Sequence, residues 1–583
     1  MSWIFGILKK NKQVVLPEKS YYQFSRKEKF SVETKDYYFA CGKGHRNSFY
    51  KYDRNTDSGW MVCGTGISYE DNSFHLMDFH DWEGFLSKKN NNIRNLNGHF
   101  IIVEWENCNL RIRNDQLGMR DMFFTQTEEY IAFSTRLDWL IPFIKEPEID
   151  FEIFSSSWLC VNPLTYDCFI KNAQRLGPGG TARYEDNNFT KYNKPWLPEY
   201  AFKIPGRNYF ELISEINTLG IKQDIQLILG LSGGIDSRVL LSILLQQDRK
   251  KWSAYTYGDS NFPDVIIAKK LAINFGFTHK TISNLIPSIE CEIDNFTEYV
   301  LQTHAYINGY FFYEQDHYEL LDKNHLLIDG GKGEYCTRSF AKWLFLKGQD
   351  AILNRNYKKV LVFLVISKPN IFKQELMKLM MKSCELQIKE HIDTLPPIKE
   401  IGAGNWVDLF TIRTRTSILG SLTQSRLDGI IYNYMPFLQP SFLRKILSLS
   451  SKYRSKNKIY KTIMKKGETK LKRFPLVKGY SIIPFTYNNY MSHIFGKVYE
   501  RFQVFQTTDY SKLFLMNNME YVQDTMHSKE VREYPYFDYE NIHNMVQGYY
   551  SGKDIYAKDI LWWLTFDVWR KKLQKESSKY VIA

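Results

Sequence analysis

Several features that would place the chain in a common class are missing from its sequence. The eight cysteines (positions 41, 63, 108, 160, 168, 291, 336 and 384) form no Cys-x-x-Cys pair, which argues against a zinc ribbon or a dithiol redox site. The longest continuous apolar run, Val360–Ile366, is far too short to span a membrane. The first residues carry no charged segment ahead of their short apolar run, so they do not predict a signal peptide. We therefore expect a cytoplasmic protein without a membrane span.

The length of the chain indicates how many domains it has, and its charge indicates which partners it could bind. A chain of 583 residues is too long for one core, so two or three domains are expected. The net charge is +13, and Lys452–Arg473 alone holds ten Lys and Arg residues against one acid, Glu468. Such a stretch is compatible with a nucleic-acid partner, but we favour a solvated face or a surface that attracts ATP and pyrophosphate.

One stretch organises the chain. An apolar run, Ile225–Leu229, ends in the loop Leu231–Ser237, which reads Leu-Ser-Gly-Gly-Ile-Asp-Ser, and an amphipathic helical stretch, Arg238–Gln247, follows. A strand, a glycine loop and a helix in this order hold a phosphate, because glycines let the backbone approach the anion and the amides at the helix start point at it. No Gly-Lys-Ser/Thr ending is present, so this is not a Walker loop.

The polar residues of this loop predict its ligands. Gly233 and Gly234 would let the backbone approach a phosphate, and Ser232 and Ser237 would add hydroxyl donors. A carboxylate inside a phosphate loop repels the anion unless a cation lies between them. Asp236 therefore predicts bound Mg²⁺.

Strands and helices alternate after this loop. Lys251–Gly258 and His279–Ile282 have the composition of strands, and Asp264–Phe275 between them has helical spacing. Another short strand, Leu326–Asp329, leads into the glycine cluster Gly330–Glu334. This order predicts a parallel sheet with right-handed crossovers, and residues 340–470 are predicted to be mainly helical.

Residues 1–200 have a different pattern, in which short apolar runs alternate with Gly, Asn and Asp clusters. Asn97-Gly98 and Asn114–Gly118 are predicted to be turns. We divide the chain into a sheet-rich domain, 1–200, and a second domain, 201–583. The predicted strands are Asp36–Ala40, Gly59–Ser68, Gly98–Glu104, Leu110–Arg113 and Tyr130–Ser134.

These motifs resemble a known family. The loop Ser232–Ser237 (SGGIDS) resembles that of the PP-loop ATP pyrophosphatases, which cleave ATP between the α and β phosphates. Residues 96–140 and the stretch RLGPGGTARY (175–184) resemble the glutaminase domain of asparagine synthetases. The resemblance implies an α/β protein: an N-terminal nucleophile (Ntn)-like layered domain followed by an adenine-nucleotide α-hydrolase-like, Rossmann-like parallel-sheet domain with added helices.

The resemblance also implies a nucleotide site. Adenine would lie against Leu231 and the stretch from Tyr255 to Gly258. The glycine cluster Gly330–Glu334 resembles the second pyrophosphate loop of the family. There, Glu334 would join Asp236 on Mg²⁺, and Gly330 and Lys332 would meet the phosphates.

A catalytic lysine and an acceptor segment complete the resemblance. In family members that form amides, a Lys lies over the adenylate; Lys478 is our candidate, with Lys465, Lys466 and Lys472 as rivals. Pro436-Phe437-Leu438 match a segment near the acceptor. Three polar residues of that segment are lost, however, because Tyr432, Tyr434 and Gln439 stand in their places.

The N-terminal residues depart from the family. Met1-Ser2-Trp3-Ile4-Phe5-Gly6 lines up with Met-Cys-Gly-Ile-Phe-Gly, in which the Cys is the glutaminase nucleophile. A Ser hydroxyl is a much weaker nucleophile than a thiol at neutral pH, and the glutamine-holding Asn-Gly-Glu segment is absent. We therefore predict that this domain lacks glutaminase activity.

The resemblance implies an ATP-dependent ligase that activates a carboxylate as an acyl-adenylate, with ATP and Mg²⁺ as cofactors, for attack by an amine or ammonia. The substrate would be a small molecule or a peptide, and a pathway enzyme would be a possible partner. Ring closure of the β-lactam synthetase or lasso-peptide cyclase type stays open. Two further classes are weighed against the ligase. The missing Cys-x-x-Cys and the N-terminal resemblance disfavour an RNA-modifying PP-loop enzyme, and the intact loop disfavours a non-catalytic partner protein.

Overall fold

The computed structural model describes residues 2–10, 28–44, 46–88, 91–160, 162–198, 208–283, 289–314, 316–331, 333, 341–366, 368–449, 451–454, 457–479, 481–486 and 508–580. Residues 199–207, which include the predicted domain boundary, lie outside this set, so the division at residue 200 stays a prediction.

Two antiparallel sheets form the N-terminal part. One has the strand order β11-β9-β10-β1-β3-β2, and the other has the order β13-β12-β8-β7-β5-β4, with β6 paired to β5. The strands are β1 Trp3–Lys9, β2 Glu28–Glu33, β3 Tyr37–Gly42, β4 Ser48–Asp53, β5 Ser58–Glu70, β6 Ser73–Leu76, β7 Asn97–Glu106, β8 Asn109–Asn114, β9 Phe123–Gln126, β10 Tyr130–Ser134, β11 Ala173–Arg175, β12 Thr181–Glu185 and β13 Asn188–Tyr192.

The alternation of side chains along the strands stacks these sheets face to face. Ile4 of β1 and Met61 of β5 belong to one buried cluster between the sheets. On the outer face of the second sheet, Trp60 packs in a cluster with Trp82 of the helix Phe79–Leu86, while Phe5 faces helices on the far side of the first sheet. The layers therefore run helix, sheet, sheet, helix, which confirms the predicted layered α/β domain.

The predicted turn at Asn97-Gly98 is wrong. Both residues lie inside β7, where Asn97 is opposite Ile67 and Gly98 is opposite Gly66. Gly98 has φ +102°, and a Cβ there would lie 2.0 Å from the carbonyl oxygen of Thr65. The glycine thus serves a close approach between two strands, a role that the dipeptide alone does not distinguish from a turn.

The C-terminal part contains the predicted parallel sheet. Its order is β16-β15-β14-β17-β18, and each neighbouring pair is parallel. A separate antiparallel hairpin, β19 and β20, lies outside the sheet. The strands are β14 Leu227–Gly230, β15 Trp252–Tyr257, β16 His279–Ile282, β17 Leu326–Asp329, β18 Asn433–Tyr434, β19 Leu476–Lys478 and β20 Ser481–Ile483. The predicted α/β fold class is confirmed.

Helices cover the parallel sheet and fill most of the described chain beyond β17. Among the described residues, no helix is both long enough and apolar enough to cross a bilayer. The α-helices are Phe79–Leu86, Phe151–Leu159, Tyr209–Asn217, Leu219–Lys222, Ile235–Leu244, Pro263–Phe275, Ile289–Gln302, Lys342–Lys347, Gln349–Leu353, Tyr357–Val362, Gln374–Asp393, Ile398–Ile401, Ala403–Thr411, Ser421–Leu427, Pro440–Leu447, Ser451–Arg454, Lys458–Lys466, Tyr510–Asn517, Met519–His527, Lys529–Arg532, Tyr539–Tyr550 and Ala557–Tyr580. A π-helical segment, Ile412–Gly420, precedes Ser421–Leu427. Short 3₁₀ segments are Ile93–Asn95, Leu137–Trp139, Ile141–Phe143, Arg249–Lys251, Gly309–Glu314, Asp316–Leu320, Pro436–Leu438, Thr469–Arg473 and Asp554–Tyr556.

Aromatic side chains join the two parts of the chain. Phe151 and Trp158 of the helix Phe151–Leu159 contact Phe372, with ring centroids 5.7 and 5.1 Å apart. Phe154 of the same helix lies 5.6 Å from Phe566 of the C-terminal helix. Part of the aromatic content of the sequence thus forms a continuous apolar interface, which large flat side chains fill effectively.

Candidate nucleotide-binding site

The loop Leu231–Gly234 lies at the carboxyl edge of the parallel sheet. It follows β14, the central strand, and leads into the helix Ile235–Leu244. Gly234 is the N-cap residue and makes no side-chain cap, so the helix start presents its amides without one. Ligands of open α/β sheets bind at the carboxyl ends of the strands, which is where the predicted strand–loop–helix unit is found.

Hydrogen bonds within the protein hold this loop. The Ser232 amide donates to Ser237 Oγ at 3.0 Å, and the two serine hydroxyls lie 3.0 Å apart. The Gly234 amide donates to Ser232 Oγ at 3.2 Å. The Gly233 amide donates to Asp264 Oδ1 at 2.6 Å, and burial raises the pKa of this carboxyl group. With the Leu231 amide, which donates to the Tyr255 carbonyl at 2.8 Å, all four amides of the loop have protein acceptors. A phosphate at this edge would therefore depend on the uncapped start of the helix that follows.

The second glycine loop packs directly on the first. A Cβ at Gly330 would lie 2.7 Å from the amide nitrogen of Ser237, and one at Gly333 would lie 2.6 Å from Asp236 Oδ1. The Tyr460 hydroxyl donates to the Gly333 carbonyl at 2.6 Å and so also holds the second loop. The predicted meeting of the two loops at one edge is therefore present.

The structure describes only part of the predicted magnesium site. Asp236 is half-buried and lies beside Gly333, whose chain neighbour is Glu334. Glu334 and Lys332 lie outside the described residues, so their predicted roles stay predictions. Within the described ranges, no group of three or more His, Cys, Asp or Glu residues could hold a metal ion by itself. Mg²⁺ is commonly held by one or two carboxylates with substrate phosphates, so the residues present fit such an ion together with a nucleotide.

Asp329 is an acid that the sequence patterns did not assign to the site. It ends β17 opposite Gly230 of β14, and its carboxylate accepts a hydrogen bond from the Gly331 amide. Burial, with Tyr318 and Asp329 nearby, raises the pKa of Tyr255. The signal in the sequence was an acid placed directly between an apolar strand and a glycine pair.

The residues predicted to contact adenine adjoin the first loop. The Leu231 amide donates to the Tyr255 carbonyl at 2.8 Å, and Thr256 Oγ1 donates to the Leu231 carbonyl at 2.6 Å. His279 Nε2 lies 2.8 Å from the same hydroxyl, and burial, with a contribution from the charge of Lys269, lowers the pKa of His279 to about 4. Thr256, to which the sequence patterns assigned no role, therefore supports the Leu231 carbonyl, and His279 supports Thr256.

Gly258 follows β15 at the same edge. Its φ is +131°, and its amide donates to the Ile282 carbonyl at 2.9 Å, so the strand end turns at a residue that tolerates this conformation.

Lys478 is the candidate lysine that lies on a segment touching the loop. It ends β19, and the amide of its neighbour Val477 donates to the Gly233 carbonyl at 2.9 Å. Its side chain is exposed. The rivals Lys465 and Lys466 end the helix Lys458–Lys466. The Lys466 carbonyl accepts a hydrogen bond at 3.2 Å from Gln246, which lies beyond the C-terminal end of the helix Ile235–Leu244 and so on the side away from the loop.

Lys472 lies in the 3₁₀ segment Thr469–Arg473, ahead of β19. Of the four candidate lysines, Lys478 is the one whose chain neighbour, Val477, contacts Gly233 directly.

Arg238 is a further residue that the sequence patterns did not assign to the site. Its guanidinium is fully buried and donates to the carbonyls of Gly233, Phe474 and Pro475 at 3.0, 2.9 and 2.8 Å. Burial lowers the pKa of Arg238 to about 10, so it is still charged at neutral pH. The signal was a basic residue on a helix whose neighbours Val239–Leu241 are apolar and buried.

The basic stretch forms one side of the site. The helix Lys458–Lys466 turns Ile459, Tyr460, Ile463 and Met464 into the core and leaves its lysines at the surface. A cationic surface would attract anionic ligands, so the interpretation of this stretch as a surface that attracts ATP and pyrophosphate stays a prediction.

Ser2 has a different environment from that of an accessible nucleophile. Its side chain is fully buried, and Arg120 donates to Ser2 Oγ at 2.7 Å and to the Ser2 carbonyl at 2.8 Å. The same guanidinium donates to Asp428 Oδ2 at 2.5 Å, and His99 Nε2 lies 2.8 Å from Asp428 Oδ1. Burial alone would raise the pKa of Asp428, but the charges of His99 and Arg120 outweigh it and hold that pKa below its usual value.

No protein-family model and no curated protein matches the chain. Among solved structures, it is similar to the allosteric regulatory enzyme of purine biosynthesis, with 10% sequence identity over 49% of this chain and 82% of that chain and a TM-score of 0.21. It is also similar to glutamine phosphoribosylpyrophosphate amidotransferase from B. subtilis complexed with ADP and GMP, with 10% identity over 48% of this chain and 65% of that chain and a TM-score of 0.20. At these scores the likeness carries no argument about the site.

Proposed function

We propose that the chain is an ATP-dependent ligase that forms amide bonds and releases AMP and pyrophosphate. One observation carries the proposal: Gly330 of the glycine loop after β17 touches Ser237 at the start of the helix that follows the glycine loop after β14, and β14 and β17 are neighbouring parallel strands. A single glycine turn before a helix is common, but two glycine loops that come together beside an acid, Asp236, are suited to a polyphosphate.

Each residue at this edge of the sheet has a separate role in the proposed reaction. The start of the helix Ile235–Leu244 carries a partial positive charge that stabilises the departing pyrophosphate, and the exposed hydroxyl of Ser232 can donate to it. Lys478 would stabilise the negative charge that develops at the reacting carbonyl. Asp236 and Glu334 would hold Mg²⁺, which when bound neutralises charge on the β and γ phosphates.

The proposed reaction has two steps. An oxygen of the substrate carboxylate attacks the α-phosphorus of ATP, the bond to the bridging oxygen breaks, and pyrophosphate leaves. The nitrogen of an amine or of ammonia then attacks the acyl carbon of the adenylate. The bond to AMP breaks, AMP leaves, and the proton lost from nitrogen goes to solvent.

The environment of Ser2 bears on the nitrogen source. A buried hydroxyl that already accepts a hydrogen bond from Arg120 cannot reach glutamine without rearrangement of that network. This supports an amine or free ammonia as the nucleophile. The amine belongs either to the substrate itself, which gives ring closure, or to a second molecule.

The test is product analysis with purified protein, Mg·ATP and fractions of a cell extract. Asp236→Asn removes the loop charge. Its matched control is Asp224→Asn, which changes an acid with a 92% exposed side chain at the opposite end of β14. We expect AMP and pyrophosphate from the wild type and Asp224→Asn, and at least about 100-fold less from Asp236→Asn.

Two results would reject the proposal. Formation of ADP and phosphate would place the reaction in another class. No turnover together with no ATP binding would favour a non-catalytic partner protein.

A further inference from the structure

Arg238 is a buried cation without an acidic partner among the described residues. Its three acceptors are all backbone carbonyls, and they belong to two segments far apart in the sequence: Gly233 in the first loop, and Phe474 and Pro475 ahead of β19. A charge that is buried without a counter-ion is costly, and the donations from Nη1 and Nη2 offset part of that cost, whereas Nε has no acceptor among the described residues. A fold that keeps it there uses the planar guanidinium to tie these carbonyls together.

The Gly233 carbonyl accepts hydrogen bonds both from Arg238 and from β19. It accepts from Arg238 Nη2 at 3.0 Å and from the Val477 amide at 2.9 Å. A Cβ at Gly233 would lie 2.2 Å from Val477 Cγ2, so the loop and β19 touch without room for another side chain. The other end of the same peptide segment is fixed as well, because the Gly233 amide donates to Asp264.

This arrangement helps to place Lys478, beside the packing of Leu476, Val477 and Ile482 on the apolar core around the parallel sheet. Lys478 directly follows Val477 in β19. In the described part of the chain, β19 has a single partner strand, β20. A two-stranded hairpin is marginally stable alone, so its position depends on what anchors it. Arg238 and the Gly233 carbonyl are the anchors that connect it to the loop.

We propose that Arg238 is a positioning residue that fixes the hairpin bearing Lys478 to the nucleotide loop. The role of Lys478 in this inference rests on the proposed function. The hydrogen bonds by which Arg238 connects the loop to the hairpin do not depend on that function. Arg238 acts through backbone carbonyls and not on the reacting atoms. Its loss should therefore slow the chemical step more than it weakens ATP binding, because misplacement of a catalytic group by about 1 Å costs up to about 100-fold in rate.

The first variant is Arg238→Met, which keeps much of the side-chain volume and removes the charge. The second is Arg238→Lys, which keeps the charge but loses the forked hydrogen-bond donors of the guanidinium group. The matched control is Arg249→Met. Arg249 also donates to three backbone carbonyls, those of Leu244, Leu245 and Gln247, but at the end of the same helix that is remote from the loop.

Two measurements are made on each full-length variant. Steady-state formation of AMP and pyrophosphate gives kcat and the KM for ATP. Hydrogen exchange followed by mass spectrometry compares peptides covering residues 474–479 with peptides covering β14. For Arg238→Met we expect kcat to fall about 10- to 100-fold, KM to change less than about 3-fold, and exchange to rise in 474–479 with β14 unchanged.

Arg238→Lys should recover part of kcat, and Arg249→Met should match the wild type in both measurements. The inference is overturned if Arg238→Met leaves exchange in 474–479 unchanged, or if exchange rises equally in β14, which would indicate general loosening. It is also overturned if kcat and KM change by the same factor. If the wild type forms no AMP, the proposed function fails, and the exchange comparison alone then decides whether Arg238 ties the two segments.

Discussion

Arg120 and Asp428 form an ion pair that is completely buried, with Nη1 and Oδ2 2.5 Å apart and neither side chain exposed. Arg120 follows the turn after β8, whereas Asp428 ends the helix Ser421–Leu427, so the pair connects the layered sheets with the helical part of the chain. The same guanidinium donates to Ser2 Oγ. Ser2, which the sequence resemblance aligns with a glutaminase nucleophile, is thus part of a structural junction.

This junction predicts the outcome of restoring the nucleophile. Ser2→Cys would supply a thiol, but the side chain would still lie in a fully buried position beside Arg120. We expect no glutamate release from glutamine by Ser2→Cys or by the wild type, because the side chain at this position is buried and held beside the Arg120 guanidinium. Coupled detection of glutamate checks this. Steady release by Ser2→Cys alone would mean that only the nucleophile was missing, and that the site is open.

The ion pair also predicts a large effect on stability. Asp428→Asn leaves the Arg120 guanidinium buried without its counter-charge, and removing one partner of a buried pair costs about 3 kcal/mol or more. Glu148→Gln is the control, since the Glu148–Lys171 pair has side chains 65% and 52% exposed, and such exposed pairs contribute little to stability. Urea unfolding followed by tryptophan fluorescence should show a lower midpoint for Asp428→Asn only. Equal midpoints for both variants would contradict the structural role.

Local patterns in the sequence predicted most of the secondary structure around the site. His279–Ile282 and Leu326–Asp329 were predicted with the bounds that the structure has, and the loop after β14 lies where the glycine pair indicated. These features are encoded within a few residues, by apolar runs, glycines and helical spacing. The turn predicted at Asn97-Gly98 failed because a contact with Thr65, distant in sequence, decides the conformation there.

Contacts between distant segments were not predictable in the same way. Arg238 is 236 residues from Phe474, and Arg120 is 308 residues from Asp428. Nothing near either arginine in the sequence identifies its acceptors, since a buried arginine and a surface arginine look alike on a helix or in a turn. The two loops could be predicted, whereas the groups that hold them together could not.

The contact between the loops predicts a steric effect on nucleotide binding. In Gly330→Ala the new methyl group would lie 2.7 Å from the backbone nitrogen of Ser237, which cannot move aside as a flexible side chain would. The loops must separate, so we expect ATP affinity to fall at least about 10-fold, which is about 1.4 kcal/mol. Gly84→Ala, where a Cβ meets nothing within 4 Å, is the control and should bind ATP like the wild type. Isothermal titration calorimetry measures both, and unchanged affinity in Gly330→Ala would exclude a shared phosphate site.

The neutral imidazole behind the first loop predicts how stability depends on pH. Burial, with the charge of Lys269, lowers the pKa of His279 to about 4, whereas an unfolded histidine titrates near about 6.5. Between these values the unfolded chain binds more protons, so the free energy of unfolding rises with pH there. The contribution of His279 is fully present above pH 6.5 and is lost as the pH falls towards 4.

Replacing this histidine separates its contribution from those of other buried groups. In His279→Gln we expect a shallower rise of stability between pH 4 and 6.5, because one proton no longer distinguishes the folded from the unfolded state. His80→Gln, which changes a histidine with an 85% exposed side chain, is the control and should keep the wild-type slope. Urea midpoints measured across this range give the slopes. Because Thr256 joins His279 to the Leu231 carbonyl, ATP affinity should fall over the same pH range in the wild type and less in His279→Gln. An ATP affinity that falls equally in both proteins would separate the histidine from the nucleotide loop.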